Sequence, residues 1–349
     1  MTKFKAKSTL GAGSIHKGGE LGMIDALRRR ARRANPAVRL GIGDDCALLR
    51  PGAGEDLAIT TDFSLEGVHF RRDWHPPESA GHRCLARGLS DLAAMGARPL
   101  AALLSLAVPP ELALEGGRSW VDGFLDGFLA LADRYNVALI GGDTARSSAG
   151  LVLADVVLIG SVKRGRELRR SGARAGDRIF ITGALGGAAA ELLGLERGPE
   201  RFRGLTAAGG GHPQLYPEPR VAVGRKLAGL ATAAIDLSDG LSSDLRHICD
   251  ESGLAAEVHG FPLHPLALGA EGAGWTPSAL GLGLDGGEDY ELLFTAAPDA
   301  IVPARLAGVP ICPIGEMKPR RRGRATIQMR INGKLEPVAA GGWEHFRRP

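Results

Sequence analysis

The sequence predicts an α/β protein of two domains. Apolar runs of strand length alternate with stretches of helical periodicity along most of the chain, as in layered α/β structure. The 349 residues exceed what one small hydrophobic core accommodates. Hydrophobic residues make up 44% of the chain, aromatic residues only 5%, and 51 residues are glycine. The interior is therefore expected to pack with Ala, Leu and Val and to use many tight turns.

The elements follow one another in a regular order. Residues 1–20 show no periodicity and are expected to form a flexible arm, and a basic helical pattern follows at 21–34. Strands are predicted at 57–61, 100–108, 137–140, 151–162, 178–182, 231–235, 288–295 and 325–331. Helices are predicted at 78–95, 111–135, 188–195, 220–230 and 241–251. The basic segment 163–176 is the predicted linker, which gives domains at 21–165 and 166–349.

Charge and cysteine content argue against several classes of protein. The 43 basic residues are nearly balanced by 39 acidic ones, and the arginine runs lack interleaved aromatic residues, so no nucleic-acid binding is expected. The four cysteines lie far apart and predict neither a zinc site nor disulfides. No secretory leader or membrane-spanning run is recognisable, so a cytoplasmic protein without membrane contact is expected.

Aspartates recur where apolar runs give way to Gly, Ser and Thr. These aspartates are Asp45, Asp62, Asp143, Asp236 and Asp239. Ligands of open α/β sheets bind beyond the strand ends, where several carboxylates would repel one another unless cations lay between them. A single aspartate in such a place is more often a helix cap or turn former, but the whole set favours a cation site.

The other oxygen-bearing residues near these aspartates favour magnesium. Thr60, Thr61 and Ser238 add oxygen atoms, which suit Mg²⁺ better than zinc or copper. Asp91 lies in an Ala/Leu-rich helical pattern, where an acid is costly unless it is paired or binds a metal. From the residues alone, Asp91 stays open between an exposed helix face and a ligand.

Familiar phosphate-binding and catalytic motifs are missing. The sequence contains no GxxxxGK[ST] loop and neither HRD nor DFG, which disfavours P-loop and protein-kinase mechanisms. The segment TGALGG at 182–187 lacks the full GxGxxG spacing and is interpreted as a close strand-to-helix turn.

Nine segments resemble the thiamine-monophosphate kinase family, which belongs to the aminoimidazole ribonucleotide synthetase-like superfamily. Their motifs are long and mostly specific to that family. They are GIGDDCALL (41–49), ITTD (59–62), EGVHF (66–70), LSDLAAMGA (89–97), LIGGDT (139–144), RSGARAGD (170–177), IDLSDGL (235–241), GGEDYELLFT (286–295) and WEHF (343–346).

The resemblance implies a fold and a set of site residues. The N-terminal α/β domain would bind ATP and Mg²⁺ and dimerise through its sheet, and the C-terminal α/β domain would complete the active site. The implied Mg²⁺ ligands are Asp45, Thr60, Thr61, Asp62, Asp91, Asp143, Asp236 and Asp239. The implied ATP contacts are Gly142, Asp143, Arg170 and Ser238, and the implied substrate contacts are His69, Glu288 and Trp343.

Four of these residues have a structural interpretation that would be preferred without the resemblance. His69 would be a surface histidine, Arg170 a linker charge, Glu288 an acid at a strand start and Trp343 a packing residue.

The implied reaction transfers the γ-phosphoryl group of ATP to thiamine monophosphate by direct in-line displacement with several Mg²⁺ ions. The second pKa of the acceptor phosphate is ~6, so this phosphate is already largely ionised at neutral pH and needs no general base. No catalytic residues beyond the metal ligands are therefore predicted. A homodimer is expected. The alternatives are another ATP-dependent enzyme of the superfamily or a catalytically silent nucleotide-binding subunit.

Overall fold

A computed structural model describes residues 27–30, 35–42, 46–114 and 119–343. The predicted arm at 1–20 lies outside these residues, and of the helical pattern at 21–34 only 27–30 are described as helix.

The described residues form strands and helices along their whole length. The strands β1 to β14 are Val38–Leu40, Leu48–Leu49, Glu55–Leu65, Arg98–Val108, Ala138–Arg146, Leu153–Lys163, Arg178–Thr182, Ala233–Asp236, Leu254–Val258, Leu292–Ala296, Arg305–Leu306, Val309–Pro319, Ile327–Ile331 and Lys334–Val338. The helices α1 to α8 are Pro77–Ala94, Pro110–Leu114, Trp120–Tyr135, Gly187–Arg197, Val221–Leu227, Leu241–Ser252, Pro265–Gly272 and Ala279–Asp285. The prediction of a mixed α/β fold is confirmed.

A four-stranded sheet organises the first half in the order β3-β6-β4-β5. Only the β4–β5 pair among these is parallel. Alternate residues point to opposite faces, and Val156 and Leu158 of β6 are fully buried on the face that packs against α1 and α3. This face carries the core of the first half.

Helices α1 and α3 pack unusually close together because glycines line their contact. A Cβ atom on Gly81 of α1 would lie 1.8 Å from the Phe124 carbonyl oxygen, and one on Gly127 of α3 would lie 1.8 Å from the Glu78 carbonyl oxygen. Helix α3 begins with a capping box, in which Ser119 and Asp122 accept each other's backbone N–H groups. The position of α1 over the sheet is therefore closely fixed.

The other face of the four-stranded sheet is partly apolar and exposed. The hairpin of β1 and β2 packs over one end of it, against residues such as Ile140 and Ile159. Leu57, Ile59 and Phe63 of β3 are 42%, 63% and 61% exposed. A soluble surface seldom carries such a row of large apolar side chains without a partner.

A larger mixed sheet forms the second half, with the main strand order β14-β13-β9-β12-β7-β10-β8 and β11 paired to β12. Helix α6 packs its buried residues, among them Leu245 and Ile248, against this sheet. The largest core cluster contains Leu89 of α1 together with Phe180 and Phe294 of the larger sheet. Because the two halves share this core, a division at residues 165 and 166 stays a prediction.

The strand and helix predictions hold in position more often than in length. Strand β7 spans the predicted residues 178–182, whereas β10 begins at Leu292 rather than at 288. The helix predicted at 111–135 is described as two helices, α2 and α3. Strand β12 was not predicted, because Pro310, Pro313 and Gly315 interrupt its pattern. None of the described helices has the length and apolarity that crossing a bilayer requires.

Candidate active site

One face of α1 supplies side chains to the centre of the molecule. Arg83, Arg87 and Asp91 follow one another at intervals of four residues, so they lie on successive turns of the same face. Helix α1 starts with Pro77, whose fixed φ suits a first helical position. The close packing with α3 fixes the direction in which this face points.

Three aspartates from separate elements meet at this face. Asp62 belongs to β3, Asp91 to α1, and Asp236 is the last residue of β8. Thr60 of β3 donates its hydroxyl hydrogen bond to Asp91, and Ser90 donates to Asp236 with an Oγ–Oδ2 distance of 2.7 Å. We call Asp62, Asp91 and Asp236 the acid cluster.

The electrostatics of the acid cluster disfavour three full charges. Burial, followed by the nearby Asp236 and Asp62, raises the pKa of Asp91 to about 7. Burial also raises the pKa of Asp236, which is only 4% exposed, and Asp62 adds to that rise. Burial likewise raises the pKa of Asp62, although Arg87 opposes the shift. A cation among these carboxylates would remove the repulsion.

A cavity of about 580 Å³ opens beside two members of the acid cluster. Thr60, Asp91 and Asp236 line it together with Arg170 and Ser171, which belong to the segment between the two sheets. The exposed Arg170 lowers the pKa of Asp91 and Asp236 against the stronger effect of burial, so its charge faces these acids. The cavity thus combines acidic oxygens with a guanidinium group.

The loop after β8 connects the acid cluster with two other predicted site residues. Ser238 accepts a hydrogen bond at its carbonyl from the Glu288 N–H at 2.8 Å, and Asp239 accepts one from the Trp343 N–H at 3.1 Å. Asp239 also raises the pKa of Asp62. Glu288 has a left-handed backbone with φ 56°, directly after Gly287 at φ 68°. This backbone turn aims Glu288 away from the strand that was predicted to contain it.

Asp239 also approaches two residues of α6. Ligand atoms of Asp239, Asp244 and His247 all lie within 4.8 Å of one another. The Asp244 carboxylate accepts hydrogen bonds from the backbone N–H groups of Asp239 and Gly240, both at 3.1 Å. Asp244 therefore fixes the loop that carries Asp239.

Arginine side chains join the acid cluster to Glu288. Arg87 donates to Asp62 at 3.2 Å and to Glu288 at 3.4 Å, and Arg83 donates to Glu288 at 2.8 Å. Burial alone would raise the pKa of Glu288, but Arg83 and Arg87 hold it at about 2. Glu288 is thus a carboxylate at neutral pH, fixed by two cations.

A buried segment, residues 212–217, completes the surroundings of Glu288. Gln214 donates from Nε2 to Glu288 at 3.0 Å, and its carbonyl accepts from Arg83. Glu191 of α4 accepts hydrogen bonds from the Gln214 N–H at 2.7 Å and the Leu215 N–H at 3.3 Å. Arg83, Arg87 and Gln214 are not recognisable as site residues from the sequence, because none belongs to a recognised motif or follows a strand.

Some predicted site residues lie on the other face of the four-stranded sheet. Asp143 of β5 is in register with Ser105 of β4, which in turn is opposite Asp155 of β6. Asp143 and Asp155 line a separate cavity of about 280 Å³. Thr61 donates to Asp155 at 2.7 Å and belongs to the same face. The described chain therefore does not bring Thr61 and Asp143 to the acid cluster, and their roles stay predictions.

The remaining predicted residues have distinct positions. His69 lies near Arg83, which donates to its carbonyl at 3.1 Å, and its Nδ1 accepts from the Leu65 N–H at 3.0 Å. Gly142 has φ 144°, and a Cβ there would lie 1.8 Å from the Leu104 carbonyl oxygen, so only glycine fits. Asp45 lies outside the described residues.

The expectation that Asp62 ends a strand is wrong. Strand β3 continues through Asp62 to Leu65, with Ser64 buried on the same face. The polar triplet 60–62 looked like a strand end because antiparallel β3 has only one buried face. Its threonines and aspartate alternate between the acid cluster and the opposite face.

Comparisons with known proteins agree with this architecture. Residues 43–162 match the family model described as AIR synthase related protein, N-terminal domain. The thiamine-monophosphate kinase of Salmonella typhimurium is 38% identical over 339 residues, which cover 95% of this chain and 99% of the relative. A crystal structure of thiamine-monophosphate kinase from Stenotrophomonas maltophilia is 38% identical with a TM-score of 0.75, covering 91% of this chain and 98% of that one. A structure described as AaThiL complexed with AMPPCP and TMP is 30% identical with a TM-score of 0.72, covering 94% and 97%.

The fold and the matched domain place the chain among the AIR synthase related proteins. Within that class, the match to the thiamine-monophosphate kinase of Salmonella typhimurium identifies the family, because it spans nearly the whole of this chain and of the relative. The chain belongs to the thiamine-monophosphate kinase family.

Proposed function

We propose that this chain transfers the γ-phosphoryl group of ATP to thiamine monophosphate, with ADP and thiamine diphosphate as products. The observation that carries the proposal is the convergence of Asp62, Asp91 and Asp236 from three elements beside one cavity, in a chain of this family. The similar structure described with AMPPCP and TMP supports both substrates.

Mg²⁺ is the second part of the proposal. The raised pKa values of Asp91 and Asp236 mean that these carboxylates are poorly compensated in the described chain, which fits a site for a divalent cation. Asp62, Asp91 and Asp236 would hold the ions, with further oxygen atoms from Thr60 and Asp239. Bound Mg²⁺ would stabilise the charge of the transferring phosphoryl group.

The residues of the chain would bind and orient the nucleotide. Arg170 lies at the edge of the 580 Å³ cavity, where its guanidinium can bind phosphate oxygens through two parallel hydrogen bonds. Ser238 follows Asp236 by two residues, in the loop whose next residue, Asp239, raises the pKa of Asp62. The family resemblance also implies Gly142 and Asp143 as ATP contacts, but in the described chain Asp143 lines the separate cavity of about 280 Å³.

The acceptor would be held between Glu288, His69 and Trp343. Glu288 is ionised, since Arg83 and Arg87 hold its pKa at about 2 despite burial, and the attraction of its carboxylate for the permanently cationic thiazolium ring is shared with these two arginines. Trp343 is 58% exposed and offers a ring face to the same cation. The acceptor phosphate is already ionised at neutral pH, so a general base is not required.

A homodimer is part of the proposal. The exposed side chains of Leu57, Ile59 and Phe63 form an apolar row on one face of the four-stranded sheet, interrupted by Thr61. A second copy of the chain packing its own sheet on this face would remove that row from water.

The direct test incubates the purified protein with ATP, Mg²⁺ and thiamine monophosphate and separates the products by chromatography. We expect stoichiometric ADP and thiamine diphosphate, and no product when EDTA replaces Mg²⁺. Binding of ATP without any product would instead support a silent nucleotide-binding subunit. Turnover of another phosphorylated acceptor, but not of thiamine monophosphate, would support another enzyme of the superfamily.

A further inference from the structure

Two arginines one helical turn apart have very different surroundings. The terminal nitrogens of Arg83 donate to the carbonyls of Gln214 and His69 and to Glu288, and its side chain is 3% exposed. Arg87 donates to Asp62, Glu288 and the Tyr290 hydroxyl, and its side chain is 16% exposed. Arg83 is therefore fixed in the interior, whereas Arg87 reaches the surface of the site.

The hydrogen bonds of Arg87 are long. Its distances to Asp62, Tyr290 and Glu288 are 3.2, 3.3 and 3.4 Å. Charge-assisted N–H···O bonds are normally about 2.7–2.9 Å, and the corresponding bond from Arg83 to Glu288 is 2.8 Å. The Nε atoms of both arginines are buried without a partner among the described residues, so the difference lies in the terminal nitrogens. Arg87 retains capacity to donate to a further anion.

The position of Arg87 identifies which anion could reach it. Its guanidinium bridges Asp62 of the acid cluster and Glu288, the carboxylate assigned above to the thiazolium ring. A substrate whose cationic ring lies at Glu288, and whose phosphate reaches a cation held by Asp62, would have that phosphate beside Arg87, because Arg87 contacts both carboxylates. Asp62 would share its carboxylate oxygens with a bound divalent cation, which would weaken the ion pair between Asp62 and Arg87 and leave the guanidinium able to bind the phosphate.

We propose that Arg87 binds the acceptor phosphate, a phosphate monoester dianion, and thereby selects the phosphorylated form of the vitamin over the free alcohol. This inference rests on the proposed function and assigns one residue to one part of its substrate. Arg83 has a different role, since it is a positioning residue that holds Glu288 and segment 212–217 in place.

Calorimetric titration with thiamine and with thiamine monophosphate, in Mg²⁺ and without ATP, tests this assignment because the two ligands differ only in the phosphate. The wild-type protein is expected to bind the monophosphate more tightly. Arg87→Gln should weaken monophosphate binding about 10- to 100-fold, the range for one charge-assisted hydrogen-bonding group, and change thiamine binding by no more than about twofold. Arg87→Lys keeps the charge but loses the planar fork, so an intermediate loss is expected.

Two further variants serve as comparisons. Arg98→Gln removes an arginine that pairs with Glu55 on the four-stranded sheet and should leave both affinities unchanged. Arg83→Gln should weaken both ligands by the same factor, because it acts through Glu288, and should lower the unfolding temperature. If Arg87→Gln does not fold, the selective loss in Arg87→Lys decides the question.

An equal loss for both ligands in the Arg87 variants, or no loss for the monophosphate, would overturn the assignment while leaving the proposed function intact. A wild-type protein that binds neither ligand would overturn the proposed function itself. The two failures are therefore distinguishable in one series of titrations.

Discussion

The Ser90 hydroxyl of α1 donates a hydrogen bond to the Asp236 carboxylate at the end of β8, across 146 positions of the sequence and a distance of 2.7 Å. The neighbouring Asp91 accepts from Thr60 of β3. The turn of α1 that carries Ser90 and Asp91 therefore contacts both sheets, and the acid cluster lies at this contact. Any shift of α1 would separate Asp91 from one of its two acidic neighbours.

Asp91→Asn should increase stability and abolish activity. Burial and the neighbouring acids raise the pKa of Asp91 from 3.8 to about 7. The native state thus binds this proton more tightly than the unfolded state, so the contribution of Asp91 is most favourable below about pH 4 and is lost as the pH rises through about 7. In EDTA at pH 8 the variant should be more stable by on the order of 2 kcal/mol in urea unfolding, with little difference at pH 4.

The matched control for that experiment is Asp299→Asn, at an exposed turn position, which should change stability by less than about 0.5 kcal/mol at both pH values. A stability difference between wild type and Asp91→Asn in EDTA that did not grow between pH 4 and pH 8 would contradict the electrostatic account of the acid cluster.

Asp62→Asn should preserve the fold and reduce turnover by at least about 100-fold, because it removes one carboxylate that faces Asp91, Asp236 and Arg87. The dependence of the remaining rate on Mg²⁺ concentration should shift to higher concentrations. Asp56 on the same strand pairs with the exposed Arg164, so Asp56→Asn is the control. Normal turnover in Asp62→Asn would refute its role as a ligand.

Trp343→Ala should raise the KM for thiamine monophosphate about 3- to 30-fold, the range of a cation–π contact of roughly 0.5–2 kcal/mol. The KM for ATP should change by less than about twofold. Trp343→Phe keeps an aromatic face and should recover most of the loss. Equal effects of the alanine variant on the two KM values would place Trp343 outside the thiazolium site.

Gly127→Ala should destabilise the protein by at least about 3 kcal/mol, since its Cβ would lie 1.8 Å from the Glu78 carbonyl oxygen and push α3 away from α1. Gly269→Ala in α7 meets no atom within 4 Å and should be neutral or stabilising by up to about 1 kcal/mol. Thermal and urea unfolding compare the two variants. Similar unfolding free energies of the two variants would mean that α1 and α3 can move apart without loss of stability.

Phe63→Asp should convert the proposed dimer to a monomer, because it places a charge within the exposed apolar row of β3. Ile301→Asp changes a residue that is 91% exposed and should leave the dimer intact. Light scattering after size-exclusion chromatography measures both masses. A wild-type protein that is already monomeric at micromolar concentration would remove the homodimer from the proposed function.

The sequence predicted the site where residue type and local pattern carry the information. Asp236 stands out because an acid is rare at the end of a buried strand, whereas the local pattern left Asp91 open between an exposed helix face and a ligand and only the family resemblance implied a ligand. Arg83 and Arg87 were not predicted because an arginine on a helix is ordinary, and their importance comes from Glu288, which is 205 and 201 positions away. Gln214 gave no signal for the same reason.

The fold was predictable where an element has a continuous periodic pattern of its own. Periodicity located α1 and β7 to within a residue or two, since each has a continuous pattern of its own. Helices α7 and α8 were missed because they are short and rich in glycine, which weakens the helical pattern. The pairing of strands across the chain depends on long-range contacts, which no local pattern encodes.

Because Arg83, Arg87 and Asp91 lie four residues apart on α1, the helix fixes the distances between their Cα atoms. Each turn advances about 5.4 Å, so the separation between Arg83, which holds Glu288, and Asp91 of the acid cluster is set by helix geometry. Inserting a single residue between Arg87 and Asp91 would rotate the part of α1 after the insertion by about 100° relative to the part before it. Asp91 would then no longer lie on the same helix face as Arg83 and Arg87. With the native spacing, a ligand whose two charged ends lie farther apart or closer together would not reach both contact points at once.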